Sequence, residues 1–345
     1  MKSWHRLALA TIAVGTLAVT TASTALADGR GPGSHHGGDR PYTFAVIGDI
    51  PYGPAQIANF PNVVAQINAD PQVQWVDHLG DIKNGSSVCS DTYFQSVKQQ
   101  FDRFQDPLVY TVGDNEWTDC HRANNGGYNP LERLAKVRQV FFPTPGTTLG
   151  RQPASVTSQV DQGIPEDVRW ERAGVSFAAL HIVGSNNSLA PWTGQTAPTP
   201  EQGAEVLART SAVIQEIHDA FSAAHSNRDR AVSLMIQADM FDPTVPNPAY
   251  ADYYAFTPIV AAIARESARF DGPVYLFNGD SHVYNDDQPL AAGSPWLSFY
   301  GLTKPVRNLT RVTVDGSTDV NNYLRVTVNP RGREVLSWTR VPFAS

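Results

Sequence analysis

The sequence lacks long hydrophobic runs and an excess of basic residues, and it contains only two cysteines. After the N-terminus no segment reaches the roughly 18 unbroken apolar residues that a membrane span needs, so we expect no stable membrane insertion. The chain has 26 lysines and arginines against 33 aspartates and glutamates, a net charge of −7. This balance argues against a nucleic-acid partner, which would require a basic face. It is compatible with phosphate chemistry, because bound divalent cations reverse the local charge.

The N-terminus has the pattern of a secretory signal peptide. The basic start "MKSWHR" precedes the apolar stretch "LALATIAVGTLAV", and "ALA" ends at Ala27 with the small-x-small form of a cleavage site. The alternative is a membrane anchor, but the apolar stretch is short and is interrupted by threonine and glycine. We therefore predict a secreted, extracellular protein cleaved after Ala27. Loss of Lys2 and Arg6 with the leader makes the mature chain more acidic, at −9.

The rest of the chain is predicted to be a short linker followed by one domain. Residues 28–41 are rich in glycine and charge and indicate a flexible linker. From residue 42, β-branched runs alternate with helical patterns, which predicts an α/β fold with helices covering the sheet strands. The helix over residues 54–70 is expected to break at Pro61. The last fifty residues predict hairpin strands joined by "DG" and "NPRG" turns. We find no internal repeat, so residues 42–345 are expected to form a single domain.

Four predicted strands end in the same way, with an apolar run, a turn residue and then an aspartate: Asp49, Asp81, Asp114 and Asp280. The first three lie 32 and 33 residues apart, close to the ~30-residue length of a β-α-β unit. Parallel strands of such units end at one edge of the sheet, where ligands bind. Each Gly-Asp alone is ordinary turn chemistry. Four carboxylates together repel each other without a cation, so with His282 they predict a divalent metal site.

These blocks resemble those of the calcineurin-like metallophosphoesterase family, which includes the purple acid phosphatases. The family pattern is Asp-x-His, Gly-Asp, Gly-Asn-His-Asp/Glu, an isolated His after a strand, and Gly-His-x-His. In the same order the sequence has "GDIPYG", "GDIKNG", "GDNE", "IQAD" and "GDSH", over residues 43–285. The resemblance implies a four-layer α/β/β/α sandwich, here with C-terminal β-hairpin strands, and a dinuclear metal centre.

The resemblance also implies a role for each matching residue. Asp49 would bind the first metal, Asp81 would bridge both, and Asp114, in place of the family's asparagine, would bind the second. His282 matches the final histidine, which serves the first metal. Pro51 replaces the first-block histidine and cannot ligate.

Two further family histidines are replaced by candidate oxygen ligands, Gln237 and Asp280. The site therefore becomes mostly carboxylate, with one amide and one imidazole. Oxygen-rich coordination predicts two divalent ions of manganese, magnesium or calcium rather than iron or zinc.

The family mechanism implies that a hydroxide bridging the metals attacks phosphorus while both ions hold the phosphoryl oxygens. Asn115 replaces the histidine that assists the leaving group; it can hydrogen-bond a phosphoryl oxygen but cannot donate a proton as imidazolium does. His121 is the nearest candidate acid, and a surface histidine beside a disulfide is the alternative. Tyr52 and Asn186 are candidate substrate-binding residues, with loop packing and turn formation as their alternatives.

The two cysteines follow two of the aspartates: Cys89 lies eight residues after Asp81, and Cys120 lies six after Asp114. In an exported protein an even number of cysteines favours a disulfide over two unrelated thiols. A Cys89–Cys120 bond would tie the two metal-binding loops together.

The sequence therefore predicts a secreted, metal-dependent phosphoesterase acting on a phosphorylated small molecule. The missing histidines favour an alternative, a catalytically weak or inactive relative that keeps the fold and binds metal or a phosphorylated ligand. No oligomeric state is predicted.

Overall fold

The computed structural model describes residues 41–318 and 320–344. Within these residues the strands, in chain order, are β1 (Tyr42–Ile47), β2 (Val76–His78), β3 (Leu108–Tyr110), β4 (Thr157–Gln159), β5 (Ile164–Arg172), β6 (Val175–Ala179), β7 (Ala231–Met235), β8 (Val274–Asn278), β9 (Asn285–Asp287), β10 (Leu309–Thr313), β11 (Asn322–Val328) and β12 (Leu336–Pro342). The helices are α1 (Gly53–Ala69), α2 (Asp91–Phe101), α3 (Pro130–Phe141), α4 (Gly184–Asn187), α5 (Pro200–Asn227), α6 (Thr257–Ser267) and α7 (Pro295–Phe299).

The strands form a five-stranded sheet of order β12-β11-β1-β2-β3 and a seven-stranded sheet of order β4-β5-β6-β7-β8-β10-β9. In the first sheet β1, β2 and β3 are parallel, and in the second β6, β7, β8 and β10 are parallel. The remaining pairs are antiparallel. The two parallel β-α-β units predicted from the aspartate spacing are therefore confirmed.

Three buried layers of apolar side chains hold the sheets and helices together. Between the sheets, Phe44 packs edge-to-face on Phe177 and Phe277, with ring centroids 5.7 and 6.2 Å apart. One outer layer joins the first sheet to α1, α2 and α3, and the other joins the second sheet to α5 and α6. The predicted four-layer α/β/β/α sandwich is confirmed.

Helix α1 runs through Pro61 without interruption, so the expected break there is wrong. Its buried side chains, Phe60, Val63, Val64 and Ile67, lie on both sides of the proline in sequence and pack in one layer. Burial of this apolar face offsets the one backbone hydrogen bond that a proline removes.

The C-terminal strands are only partly as expected. Strands β11 and β12 form an antiparallel hairpin, as the "NPRG" turn predicts. The "DG" segment does not close a hairpin, because β10 pairs with β8 and β9 in the second sheet while β11 belongs to the first. The "DG" segment instead connects the two sheets. In this connection the Gly316 N–H donates to the His282 carbonyl oxygen at 3.2 Å, and the Ser317 N–H donates to the Asp49 carbonyl oxygen at 3.0 Å.

The predicted signal peptide and all but the last residue of the predicted linker lie outside the described residues. Across residues 41–318 and 320–344, no helix combines the length and apolar character needed to cross a membrane.

Candidate metal centre

The four predicted aspartates converge where β1, β2, β3 and β8 end. One ligand atom from each of Asp49, Asp81 and His282 lies within 4.8 Å of the others, and the same holds for Asp81, Asp114 and Asp280. We call these five residues the carboxylate centre. Because Asp81 belongs to both groups, the geometry suits two neighbouring cations with Asp81 between them.

The backbone at these strand ends is unusual. Asp49, Asp81, Asp280 and His282 have φ values of 53°, 55°, 71° and 65°. This left-handed region is sparsely populated by residues other than glycine, although aspartate tolerates it better than most. Such conformations persist where the surrounding structure enforces them, often at functional sites.

Glycines leave space for the carboxylates. A Cβ on Gly113 would overlap the Asp81 carboxylate, and a Cβ on Gly279 would overlap that of Asp49. The two aspartate side chains thus occupy the volume that side chains on the neighbouring loops would fill.

The centre holds more negative than positive charge. Burial, and then the charges of neighbouring carboxylates, raise the pKa of Asp81 and Asp280 well above the usual value. Burial also raises the pKa of Asp49. Burial lowers the pKa of His282, but the Asp49 carboxylate, 3.3 Å from its Nε2, outweighs this and raises it.

Among the described residues, Lys83 is a second basic side chain close enough to interact electrostatically with these carboxylates. It forms no direct ion pair with them. Its Nζ donates to the carbonyl oxygens of Asn115 at 2.7 Å and Asn84 at 2.9 Å. Burial lowers its pKa, and the nearby acids act in the opposite direction. The donor set is therefore oxygen-rich and under-neutralised, which fits two divalent cations.

Tyr52 and Asn115 both contact the shared carboxylate. The Tyr52 hydroxyl donates to Asp81 Oδ2 at 2.9 Å, and the Asn115 side-chain amide donates to the same oxygen at 2.6 Å and to the Tyr52 hydroxyl at 2.9 Å. The Tyr52 ring packs edge-on against His282, with centroids 5.5 Å apart. Both predicted substrate-contacting residues thus lie in direct contact with the carboxylate centre.

Glu116 has a positioning role that the sequence reasoning missed. Its Oε1 accepts from the N–H groups of Gly113 at 2.6 Å and Asp81 at 3.2 Å, and from the Tyr110 hydroxyl at 2.6 Å. Burial raises the pKa of Glu116 to about 7. One carboxylate oxygen thereby joins the loops after β2 and β3. The sequence contained a signal for this role, because Glu116 directly follows the Gly-Asp-Asn block that comes after β3.

The predicted Cys89–Cys120 disulfide is present, with the two Cα atoms 5.8 Å apart. It links the same two loops farther from the strand ends.

Gln237 and His121 are held by backbone groups. Gln237 Oε1 accepts from the Gly184 N–H at 2.7 Å, and its buried Nε2 has no partner among the described residues. The Thr193 N–H donates to His121 Nδ1 at 2.9 Å, which requires that nitrogen to be unprotonated. Burial, and then the charge of Arg122, lower the pKa of His121. This arrangement favours the neutral ring and not the imidazolium of a general acid.

Asn186 lies in α4, a left-handed turn beside the centre. Its Oδ1 accepts from the Ala255 N–H at 3.0 Å, and its Nδ2 donates to the Ala251 carbonyl at 3.3 Å. The neighbouring Ser185 hydroxyl donates to Asp114 Oδ2 at 2.7 Å. Asn186 therefore holds together the wall of a cavity next to the centre. Its side-chain amide is hydrogen-bonded to the backbone of Ala251 and Ala255.

Residues 42–203 match the family model of the calcineurin-like phosphoesterases. No curated protein sequence matches the chain significantly. Among solved structures, the chain is similar to the purple acid phosphatase PPD1 of yellow lupin (Lupinus luteus) seeds, with 10% identity and a TM-score of 0.46 over 89% of this chain and 54% of that one. It is also similar to GAP50, the anchor in the inner membrane complex of Plasmodium, with 10% identity and a TM-score of 0.44 over 88% and 90%. A third is the phosphopantetheinyl hydrolase PptH of Mycobacterium tuberculosis, with 11% identity and a TM-score of 0.39 over 88% and 96%.

Proposed function

We propose that the chain, whose residues 42–203 match the family model of the calcineurin-like phosphoesterases, hydrolyses phosphoesters with the help of two divalent cations. The observation that carries the proposal is the pair of ligand groups that share Asp81. Cations bound there supply Lewis acidity toward water and the phosphoryl oxygens.

We assign the first cation to Asp49, Asp81 and His282, and the second to Asp81, Asp114 and Asp280. Gln237 remains a proposed additional ligand through the second lone pair of its amide oxygen. The oxygen-rich set favours manganese, magnesium or calcium over iron or zinc.

Tyr52 and Asn115 would act on the substrate from beside the shared carboxylate. Asn115 carries an amide N–H that can be redirected from Asp81 to a phosphoryl oxygen, and the Tyr52 hydroxyl holds that amide in place. Neither residue replaces the imidazolium that would protonate a poor leaving group. We therefore expect faster turnover of aryl esters, whose leaving groups need no protonation, than of alkyl esters.

The test combines metal analysis with a panel of phosphomonoesters and phosphodiesters. Protein treated with chelator should hydrolyse an activated aryl phosphate only after a divalent ion is added, with about two ions bound per chain. Asp81→Asn should lower kcat by more than about 100-fold, beyond the range for residues that only orient metal ligands. The exposed Asp102→Asn is the matched control, since Asp102 pairs only with Lys98 on the surface of the α2 end. Stoichiometric iron, or turnover without any divalent ion, would contradict the proposal.

A second candidate function is metal or phosphoester binding without efficient turnover. It is favoured by the occupancy of Asp81, because Oδ1 accepts from the Asn115 N–H at 3.1 Å and Oδ2 accepts from two side chains. A cation must displace part of this network. Two bound ions with no hydrolysis across the panel would support this function.

We further propose that the protein is secreted after cleavage at Ala27 and that residues 42–345 act as one metallophosphoesterase domain. The leader pattern and the absence of a linker pattern after residue 41 support this proposal. Mass spectrometry of exported protein should find Asp28 as the first residue. A protease-resistant fragment starting near residue 42 should keep the metal-dependent activity.

A further inference from the structure

A cavity of about 770 Å³ lies directly beside the carboxylate centre. Gly184, Ser185 and Asp280 line it, and Ser185 also contacts Asp114. A phosphoester whose phosphoryl group is held at the centre therefore has this cavity available for its alcohol portion. The lining of the cavity should then select among alcohols.

The lining is acidic. It includes Asp239, Asp242, Asp252 and Asp280, and the described residues around it include no lysine, arginine or histidine. Asp280 belongs to the carboxylate centre, and Asp239 is paired with Arg311 at 2.6 Å.

Two of these carboxylates form no direct ion pair among the described residues. Asp242 accepts hydrogen bonds only from the backbone and hydroxyl of Thr244, each at 2.7 Å. Within the described ranges neither Asp242 nor Asp252 forms a direct ion pair, and the charge of Asp242 acts through space on His282, whose pKa it helps to raise. Both are therefore open to a positively charged ligand.

An aromatic wall stands next to these carboxylates. Tyr253 and Tyr254 line the cavity, and Tyr253 packs against the rings of Phe256, Trp296 and Phe299, with ring centroids 5.8 to 6.1 Å away. Tyr253 and Asp242 line the same cavity, and burial, followed by the charge of Asp242, raises the pKa of Tyr253. Aromatic faces beside carboxylates attract organic cations.

We propose that this cavity binds the alcohol portion of phosphoesters whose alcohol carries an ammonium group, and that it disfavours esters carrying a second anionic group. The inference rests on the proposed function for the placement of the phosphoryl group. Unpaired carboxylates next to tyrosine rings attract the ammonium group, and the same carboxylates repel anions in a cavity that offers them no basic side chain.

Matched esters test the selectivity. Phosphocholine and 3,3-dimethylbutyl phosphate have nearly the same shape and differ by one positive charge, and 3-carboxypropyl phosphate adds a negative one. With the metal-loaded protein, kcat/KM should be about 10-fold higher for phosphocholine than for the neutral ester. A ratio of this size is what one cation–π contact beside a carboxylate is expected to contribute. It should be lowest for the carboxylate ester. Equal values, or a preference for the neutral ester, would overturn the proposal.

Single-residue variants test whether the carboxylates of this cavity cause the substrate selectivity. Asp252→Asn and Asp242→Asn should each reduce the ratio of phosphocholine to 3,3-dimethylbutyl phosphate turnover several-fold. Asp271→Asn removes the same charge from an exposed loop before β8, at the opposite end of that strand, and should leave the ratio unchanged. A ratio that changes equally in all three variants would assign the selectivity to net charge and not to the cavity.

A binding measurement separates this inference from the proposed function. Tetramethylammonium binding, followed by saturation-transfer NMR, should be detected with the wild-type protein and lost in Asp252→Asn, whether or not any ester is hydrolysed. Binding without hydrolysis would reject the proposed function and keep the cation site. Hydrolysis of aryl phosphate without tetramethylammonium binding would keep the proposed function and reject the cation site.

Discussion

Two groups of buried carboxylates in this molecule have opposite electrostatics. In the carboxylate centre, burial and like charges raise the pKa of Asp81. On β5, Glu166 is equally buried, yet the hydrogen bond with His181 at 2.8 Å and the Arg138 guanidinium at 2.6 Å overcome the effect of burial and lower its pKa to about 2. We call Glu166, Arg138 and His181 the Glu166 cluster.

The comparison shows that burial alone does not determine the charge state of an acid. The fold supplies the Glu166 cluster with the Arg138 guanidinium from α3 and with the His181 ring, whose own pKa is lowered by burial, from the loop after β6. It gives the carboxylate centre four acids against His282 and an indirectly placed lysine. A protein that concentrates unmatched charge in one place is arranged to take the balancing charge from solution.

The largest expected effect is the stabilisation of the carboxylate centre by divalent ions. Because the folded-state pKa values of Asp81 and Asp280 lie above their unfolded values, the contribution of these two groups to the stability of the metal-free protein is greatest at low pH and is lost as pH rises through the folded values. Bound ions remove this loss, giving about 5 kcal/mol for two sites when free ion exceeds each Kd about 100-fold. Urea unfolding with manganese and with chelator, from pH 5 to pH 8, should show a gap that widens with pH. A constant gap would contradict the charge argument.

The Glu166 cluster should respond to the loss of its cation. Arg138→Met leaves Glu166 buried and without its guanidinium, and we expect the free energy of unfolding to fall by about 3 kcal/mol at pH 7. Arg103→Met, at an exposed arginine that contacts Gln100, is the control and should change stability little. Metal affinity of the folded protein should be the same in both variants. Equal stability of the two variants would show that buried Glu166 does not depend on the Arg138 guanidinium.

A smaller effect of opposite sign is expected in the carboxylate centre. Asp280→Asn removes one unmatched charge with little change of shape, so the metal-free protein at pH 8 should gain about 1–3 kcal/mol. The metal-bound protein should lose affinity for one ion. Chemical unfolding and calorimetric metal titration measure the two quantities. Destabilisation of the metal-free protein would show that hydrogen bonds of Asp280, such as that from the Asp239 N–H at 3.1 Å, outweigh its charge repulsion.

The smallest effect concerns His121. Since the Thr193 N–H occupies its Nδ1, we expect His121→Gln to change kcat less than about 2-fold and to leave the pH profile in place. A loss of about 100-fold or more, with the alkaline limb of the profile removed, would restore His121 as the general acid.

Much of the carboxylate centre could be predicted because its residues follow a local pattern. Each aspartate follows an apolar run and a turn residue, and the 32- and 33-residue spacing indicated parallel strands ending at one edge. The same reasoning failed for Pro61 and for the "DG" segment. In both cases a local preference, for a helix break or a hairpin, was outweighed by the burial of apolar side chains in layers formed by distant segments.

The sequence by itself determined which acids lie at strand ends, how the strands alternate with helices and which two cysteines are close, because these depend on local patterning and on spacing along the chain. Only the tertiary structure decided which acids acquire a cationic partner. Glu166 meets Arg138 from a helix 28 residues away in sequence, whereas Asp242 and Asp252 form no direct ion pair in the described chain. Charge pairing acts through space over a few ångströms, so its outcome depends on how separate segments pack.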